Sequence, residues 1–207
     1  GSNCTAVGMS ALGQNTTGSH NTAFGHNSMA INTTGTQNVA LGMQTLFHNN
    51  ASNNVAVGHY ALESNTSGVD NTGVGKSALD NNTTGNYNSA VGKDSLKANT
   101  TGQQNVAFGV SSMITNTTGD FNTAIGTNAL YSNSTGDENT AVGRAALFNN
   151  TTNYNTAVGD LAMYSTTSGT NNVAVGNNAL SANTTGQNNV SVGANALDAN
   201  TTGENNT

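Results

Sequence analysis

The chain has 207 residues, of which 34% are hydrophobic and 7% charged, and Asn, Thr and Gly together fill 95 positions. An ordinary globular domain carries about 45–50% apolar and about 25% charged residues, so a conventional large-core globule is excluded. A net charge of −6 with only four cations disfavours nucleic acid and anionic membranes as partners. No apolar run approaches the roughly 18 residues of a membrane-inserting helix, and the single Cys4 allows neither an intrachain disulfide nor a zinc cluster.

Low charge with few hydrophobes is also the mark of disorder, but here it is periodic. Gly recurs after a short apolar pair at Gly8, Gly25, Gly42, Gly58, Gly75, Gly92, Gly109, Gly126, Gly143, Gly159, Gly176 and Gly193, at a spacing of 17 with two steps of 16. The consensus is N-T-A-V-G-x-x-A-L-x-x-N-T-T-G-x-x. Residues 1–207 form one array, with twelve units from Cys4 to Asn205 and partial units on either side, and it reads as a slice through a longer one. The two short units, 38–53 and 139–154, align with the turn Gly as the missing residue.

Within each unit, N-T-A-V-G reads as a short strand. Its alternation places positions 2 and 4 on one face and positions 1, 3 and 5 on the other. Position 4 is apolar in all twelve copies (Val7, Phe24 and Leu41 in the first three) and is expected to point inward. Position 3 is Ala in ten copies, with Gly73 and Ser191 in the others. That small-residue face is the expected site of contact with another chain, at Ala124, Gly126, Ala141 and Gly143. The A-L segment follows as a second short strand or a single helical turn, with position 9 always Leu or Met and expected to be buried. N-T-T-G then supplies turn chemistry. All fourteen charged residues fall at positions 6, 7, 10, 16 and 17, which marks these as solvent-facing.

Seventeen residues are too few for a helical-pair repeat. One unit per coil gives an all-β fold, a parallel β-solenoid of twelve 17-residue coils, roughly 58 Å long at the usual strand spacing. The recurring Asn at positions 1 and 12 are expected to form amide ladders from coil to coil.

The segments Asn139–Ala146 (NTAVGRAA), Asn155–Ala162 (NTAVGDLA) and Asn172–Ala179 (NVAVGNNA) resemble the head repeats of trimeric autotransporter adhesins and related bacteriophage tail-fibre and surface-fibre repeats. The full unit, such as Asn122–Glu138, is similar to the fibre arrays, whereas the adhesin heads use a shorter unit of about 14 residues. The resemblance implies a left-handed β-roll, trimeric about the fibre axis, working in attachment at a surface.

The function expected on these grounds is a non-enzymatic structural segment of an extracellular, cell-surface or virion fibre. Its partners are copies of itself and a cell-surface saccharide. No cofactor or metal is expected: His26 and His59 share position 6 but stand two coils apart, and no third ligand recurs. The alternative is a self-assembling extracellular filament glycosylated at N-x-S/T turns. The acceptors would be Asn15, Asn32, Asn50, Asn65, Asn82, Asn99, Asn116, Asn133, Asn150, Asn183 and Asn200. A lesser reading, ice binding, would use the stacked Thr ranks of positions 13 and 14. The candidate contact strip is aromatic: Tyr131, Phe148 and Tyr164 at position 10 of three successive coils, with Tyr154 on an adjacent turn.

Overall fold

The computed structural model describes all of residues 1–207. It is a parallel β-solenoid with one 17-residue repeat per coil. Twelve three-residue strands, β1 (Thr5–Val7), β2 (Thr22–Phe24), β3 (Val39–Leu41), β4 (Val55–Val57), β5 (Thr72–Val74), β6 (Ser89–Val91), β7 (Val106–Phe108), β8 (Thr123–Ile125), β9 (Thr140–Val142), β10 (Thr156–Val158), β11 (Val173–Val175) and β12 (Val190–Val192), stack in chain order into one sheet. The register is exact across the repeat, with Ala23 opposite Ala40 and Ala124 opposite Ala141. There is no helix, and so none long and apolar enough to cross a membrane. Coil-to-coil bonding continues beyond the strands, for example from Leu46 N–H to Ala61 O at 3.1 Å and from Thr83 N–H to Thr100 O at 2.9 Å.

The sheet faces the opposite way from the expectation. Position 3 is inside: Ala23, Ala40, Ala56, Ala90, Ala107, Ala124, Ala141, Ala157 and Ala174 are fully buried within the single chain. Position 4 is outside: Phe24 is 56% exposed, Phe108 46% and Ile125 43%. The reason is the width of the coil. A Cβ on Gly73 would lie 3.4 Å from the Leu62 side chain of the preceding coil, so position 3 faces position 9 with room for a methyl group and little more. The core therefore consists of Leu or Met at position 9 set against Ala at positions 3 and 8. Ala124 and Ala141 line this interior and are not a surface for another chain.

Position 9 is buried as expected from Met29 to Leu180, with Leu12 half-buried and Leu197 exposed in the end coils, and its restriction to Leu and Met has a backbone cause. Leu12, Met29, Leu46 and every later member of the series have φ between 48° and 54°, the left-handed region. β-Branched side chains are strained there. Positions 7 and 17 also have positive φ, and neither ever carries Val, Ile or Thr. At position 5, φ is 125–141° and a Cβ would run into the carbonyl of the next coil's Gly. Only Gly satisfies both conditions.

Two internal amide ladders supplement the narrow Leu/Ala core. At position 1, Asn21 Nδ2 donates to Gly35 O (2.7 Å), while its Oδ1 accepts the backbone N–H of Asn38 (3.0 Å). At position 12, Asn32 Nδ2 donates to Asn15 Oδ1 (3.1 Å) and Gly35 O (3.2 Å). Buried polar groups in such a narrow interior must find partners of this kind. Serines at position 8 do the same on a smaller scale: Ser95 Oγ donates to Ala107 O and Ser112 Oγ to Ala124 O, both at 3.0 Å.

The short coils correct a second expectation. Ala51 O accepts the Nδ2 groups of Asn38 and Asn49, both at 2.8 Å, just as Gly35 O serves Asn21 and Asn32. Thr152 O does the same for Asn139 and Asn150. The omitted residue is thus the exposed second Thr of the turn, and Ala51 and Thr152 occupy the place of the turn Gly. That place is defined by its carbonyl, which both ladders need.

Candidate functional site

Position 10 follows the buried, left-handed position 9, so the chain has turned outward and the side chain projects from the wall. The column is held in register by the backbone: Ser132 N–H donates to Phe148 O (2.9 Å), Asn149 N–H to Tyr164 O (3.2 Å) and Ser165 N–H to Ser181 O (3.0 Å). Rings at successive steps must therefore stack. Tyr131 and Phe148 have ring centroids 4.8 Å apart with planes 9° from parallel, and Phe148 and Tyr164 are 5.1 Å apart at 15°. All three are half-buried. The structure thus brings together three of the four residues of the candidate strip.

Tyr154 lies elsewhere. It sits at position 17, in the corner that precedes the strand, with φ 62°, and it lines a shallow concavity with Thr151, Thr170 and Asn171. The corner's own backbone bond, from Tyr154 N–H to Asp137 O at 3.2 Å, keeps it in that column.

The aromatic column is asymmetric. On one side Tyr131 is preceded by Ile114, and on the other Tyr164 is followed by Ser181. Beside the Tyr164–Ser181 step lies an open recess of about 600 Å³, which Phe148, Tyr164, Leu161, Asn178 and Ser165 help to line. Arg144 stands at its edge, with Nη2 donating to Asp160 Oδ2 at 2.9 Å.

Earlier in the same column, Glu63 and Asp80 occupy successive steps. Partial burial, reinforced by the Asp80 carboxylate, raises the Glu63 carboxyl above its ordinary value. Burial also raises Asp80, against the opposing pull of Ser77 and Lys97. No group of three or more His, Cys, Asp or Glu residues could hold a metal ion. Cys4 stands at position 1 and its thiol lies 3.5 Å from Gly18 O, on the acceptor that Asn uses in later coils.

The N-x-S/T acceptors are corrected by burial. Asn32, Asn65, Asn82, Asn99, Asn116, Asn133, Asn150 and Asn183 are fully buried in the position-12 ladder, and Asn15 and Asn200 are half-buried in the same column. Their Nδ2 groups point to the turn carbonyl, as in Asn65 to Gly68 O at 2.9 Å, so the folded coil leaves no path for a sugar. Asn50 alone of the series is exposed, and its Oδ1 accepts from Thr33 N–H and Oγ1, both at 2.7 Å. The Thr rank at position 13 is likewise engaged: Thr66, Thr83 and Thr100 donate their hydroxyls to the carbonyl one coil on, at 2.9–3.0 Å. The rank at position 14 is exposed.

The surface that sequence reasoning missed is the outer face of the sheet. Position 4 presents Val, Phe, Leu or Ile at every step from Val7 to Val192, flanked by Thr, Val or Ser at position 2. Two signals in the repeat point to it. In twelve copies position 3 is only Ala, Gly or Ser, the mark of a tight interior, whereas position 4 takes Phe and Val interchangeably, the mark of an unconstrained exterior. Searches against protein-family models, curated proteins and solved structures returned no match.

Proposed function

We propose that the chain is a non-enzymatic structural segment of an extracellular, cell-surface or virion fibre, assembled with copies of itself and serving attachment and surface presentation. The observation that carries this reading is the outer sheet face. Twelve apolar side chains stand in one unbroken row, whereas the exposed aromatics elsewhere, Tyr87, Phe121 and Tyr154 at position 17, do not fall in successive coils. Contiguous apolar strips of this kind mark contact surfaces on soluble proteins. A flat sheet with a one-coil repeat suits a second copy in register, because each partner offers the same row at the same spacing. The resemblance to adhesin heads sets the expected number at three.

Sedimentation equilibrium at micromolar concentration tests the assembly. The expected mass is that of three 20.8 kDa chains. A monomer with its sheet face in water would overturn the reading, and an open-ended series of masses would replace the trimer with a filament.

A further inference from the structure

The recess beside Tyr164 has features that a contact strip alone does not explain. Position 10 runs Tyr131, Phe148, Tyr164 and then Ser181, in register by the backbone bonds of the column. In a stack of parallel rings, each inner ring has both faces covered. Tyr164 covers Phe148 on one side, and at the next step of the column stands Ser181, with no ring to stack on its other side. The recess runs beside the column from Phe148 to Ser181 and so reaches this step, and its volume of about 600 Å³ lies within the range that binds small ligands. Its polar lining is Asn128, Arg144, Ser165, Asn178 and Ser181, which together offer both donors and acceptors. Arg144 is paired with Asp160 at 2.9 Å, so the charge it brings to the recess is balanced by a carboxylate.

We propose that this recess binds a neutral hexopyranose, whose apolar C–H face lies on the Tyr164 ring in the step that Ser181 leaves open. The electron-rich face of an aromatic ring attracts the weakly positive C–H groups on one side of a pyranose. The hydroxyls at the sugar's rim then meet Ser165, Asn178 and Ser181. A flat aromatic guest would use the ring face but leave those polar groups without partners, which favours a sugar. The recess shares no residue with positions 2 and 4 of the sheet. This inference deepens the attachment half of the proposed function and rests on it, but does not depend on assembly.

The test is saturation-transfer NMR on the native protein with the methyl glycosides of galactose, glucose, mannose and N-acetylglucosamine. At least one sugar is expected to receive saturation on the C–H groups of a single face. Tyr164→Ala should reduce the signal at least tenfold. Ser181→Tyr should do the same by extending the stack into the open step, and Ser181→Leu should do so by filling it without a ring. Both filling variants add packing, so circular dichroism should show the fold kept in at least one of them. Tyr154→Ala should leave the signal unchanged. No transfer to any of the four sugars, or full transfer to a folded Ser181 variant, would overturn the proposal. Mass measured on the same samples keeps the two ideas apart: an assembled protein that binds no sugar fails only this one, and a sugar-binding monomer fails only the assembly.

Discussion

The side-chain carbonyl of Asn21 accepts two hydrogen bonds from Asn38, one coil on: the backbone N–H at 3.0 Å and Nδ2 at 3.2 Å. The same Oδ1 thus replaces a strand-end backbone acceptor and links the amide ladder. The arrangement recurs between Asn122 and Asn139 and between Asn172 and Asn189. Asn122→Ala would leave Gly136 O and the backbone N–H of Asn139 without these partners. Each buried unpaired group costs about 1–3 kcal/mol. The expected loss is about 2–5 kcal/mol, read as a lower urea midpoint with the strand signal retained below the transition.

The second ladder has two gaps: at the short coil Asn133 Oδ1 is buried without a partner, since Asn150 Nδ2 donates only to Thr152 O, and the other gap lies one coil on. Position 12 of the tenth coil is Thr166, whose buried hydroxyl has no partner, and Asn183 Nδ2 keeps only its bond to Gly186 O at 3.1 Å. Thr166→Asn restores an acceptor for Asn183. It should stabilise the chain by about 0.5–1.5 kcal/mol, the usual net worth of such bonds, visible as a raised melting temperature.

Position 9 separates bulk from backbone conformation. Leu130 is fully buried with φ 52°. Leu130→Met keeps the volume and an unbranched Cβ and should cost less than about 1.5 kcal/mol. Leu130→Ile has the same volume but places a branched Cβ in the left-handed region, at an expected cost of about 1–3 kcal/mol. Equal midpoints for the two variants would contradict the conformational explanation.

These cases show what the repeat made legible. The coil length, the parallel stacking, the burial of position 9 and both Asn ladders could be read because twelve copies filter constant from variable positions. The parity of the strand could not be read from hydrophobicity, since the usual rule sends Val and Phe inward. In a coil this narrow the rule inverts: Leu62 already fills the space opposite Gly73, and the larger strand residue goes outside. The aromatic stack was legible because position 10 repeats at one step per coil. Tyr154 stands apart because adjacency in the repeat is not adjacency on the surface: position 17 precedes the strand, whereas position 10 follows the buried position 9. The recess at Ser181 depends on where a column of rings stops, and becomes visible only when its walls are in place.

Glu63 and Asp80 predict a pH dependence. Both carboxyls are raised in the folded chain, chiefly by burial. The folded state therefore holds their protons more tightly than the unfolded chain does. Stability should rise as pH falls from neutral toward the ordinary carboxylate values near about 4, and that increment is lost as pH rises through the folded values. The groups facing the pair are Ser77, Asp94, Lys97, His48 and His59. The native chain should melt at a higher temperature at pH 5 than at pH 7, measured against Glu63→Gln/Asp80→Asn as the reference for those neighbours. The double variant should show a smaller difference, and an identical one would refute the assignment.

The central claim is that Ala141 is interior and Val142 belongs to a surface buried between chains. The most direct measurement is the solution mass of the native protein beside that of Ile125→Asp/Val142→Asp at micromolar concentration, with circular dichroism as a check on the coil. The account predicts an assembled native protein and a folded, monomeric double variant, because two aspartates on the outer face disturb no interior contact. A native monomer, or a double variant that assembles as the native chain does, would contradict it.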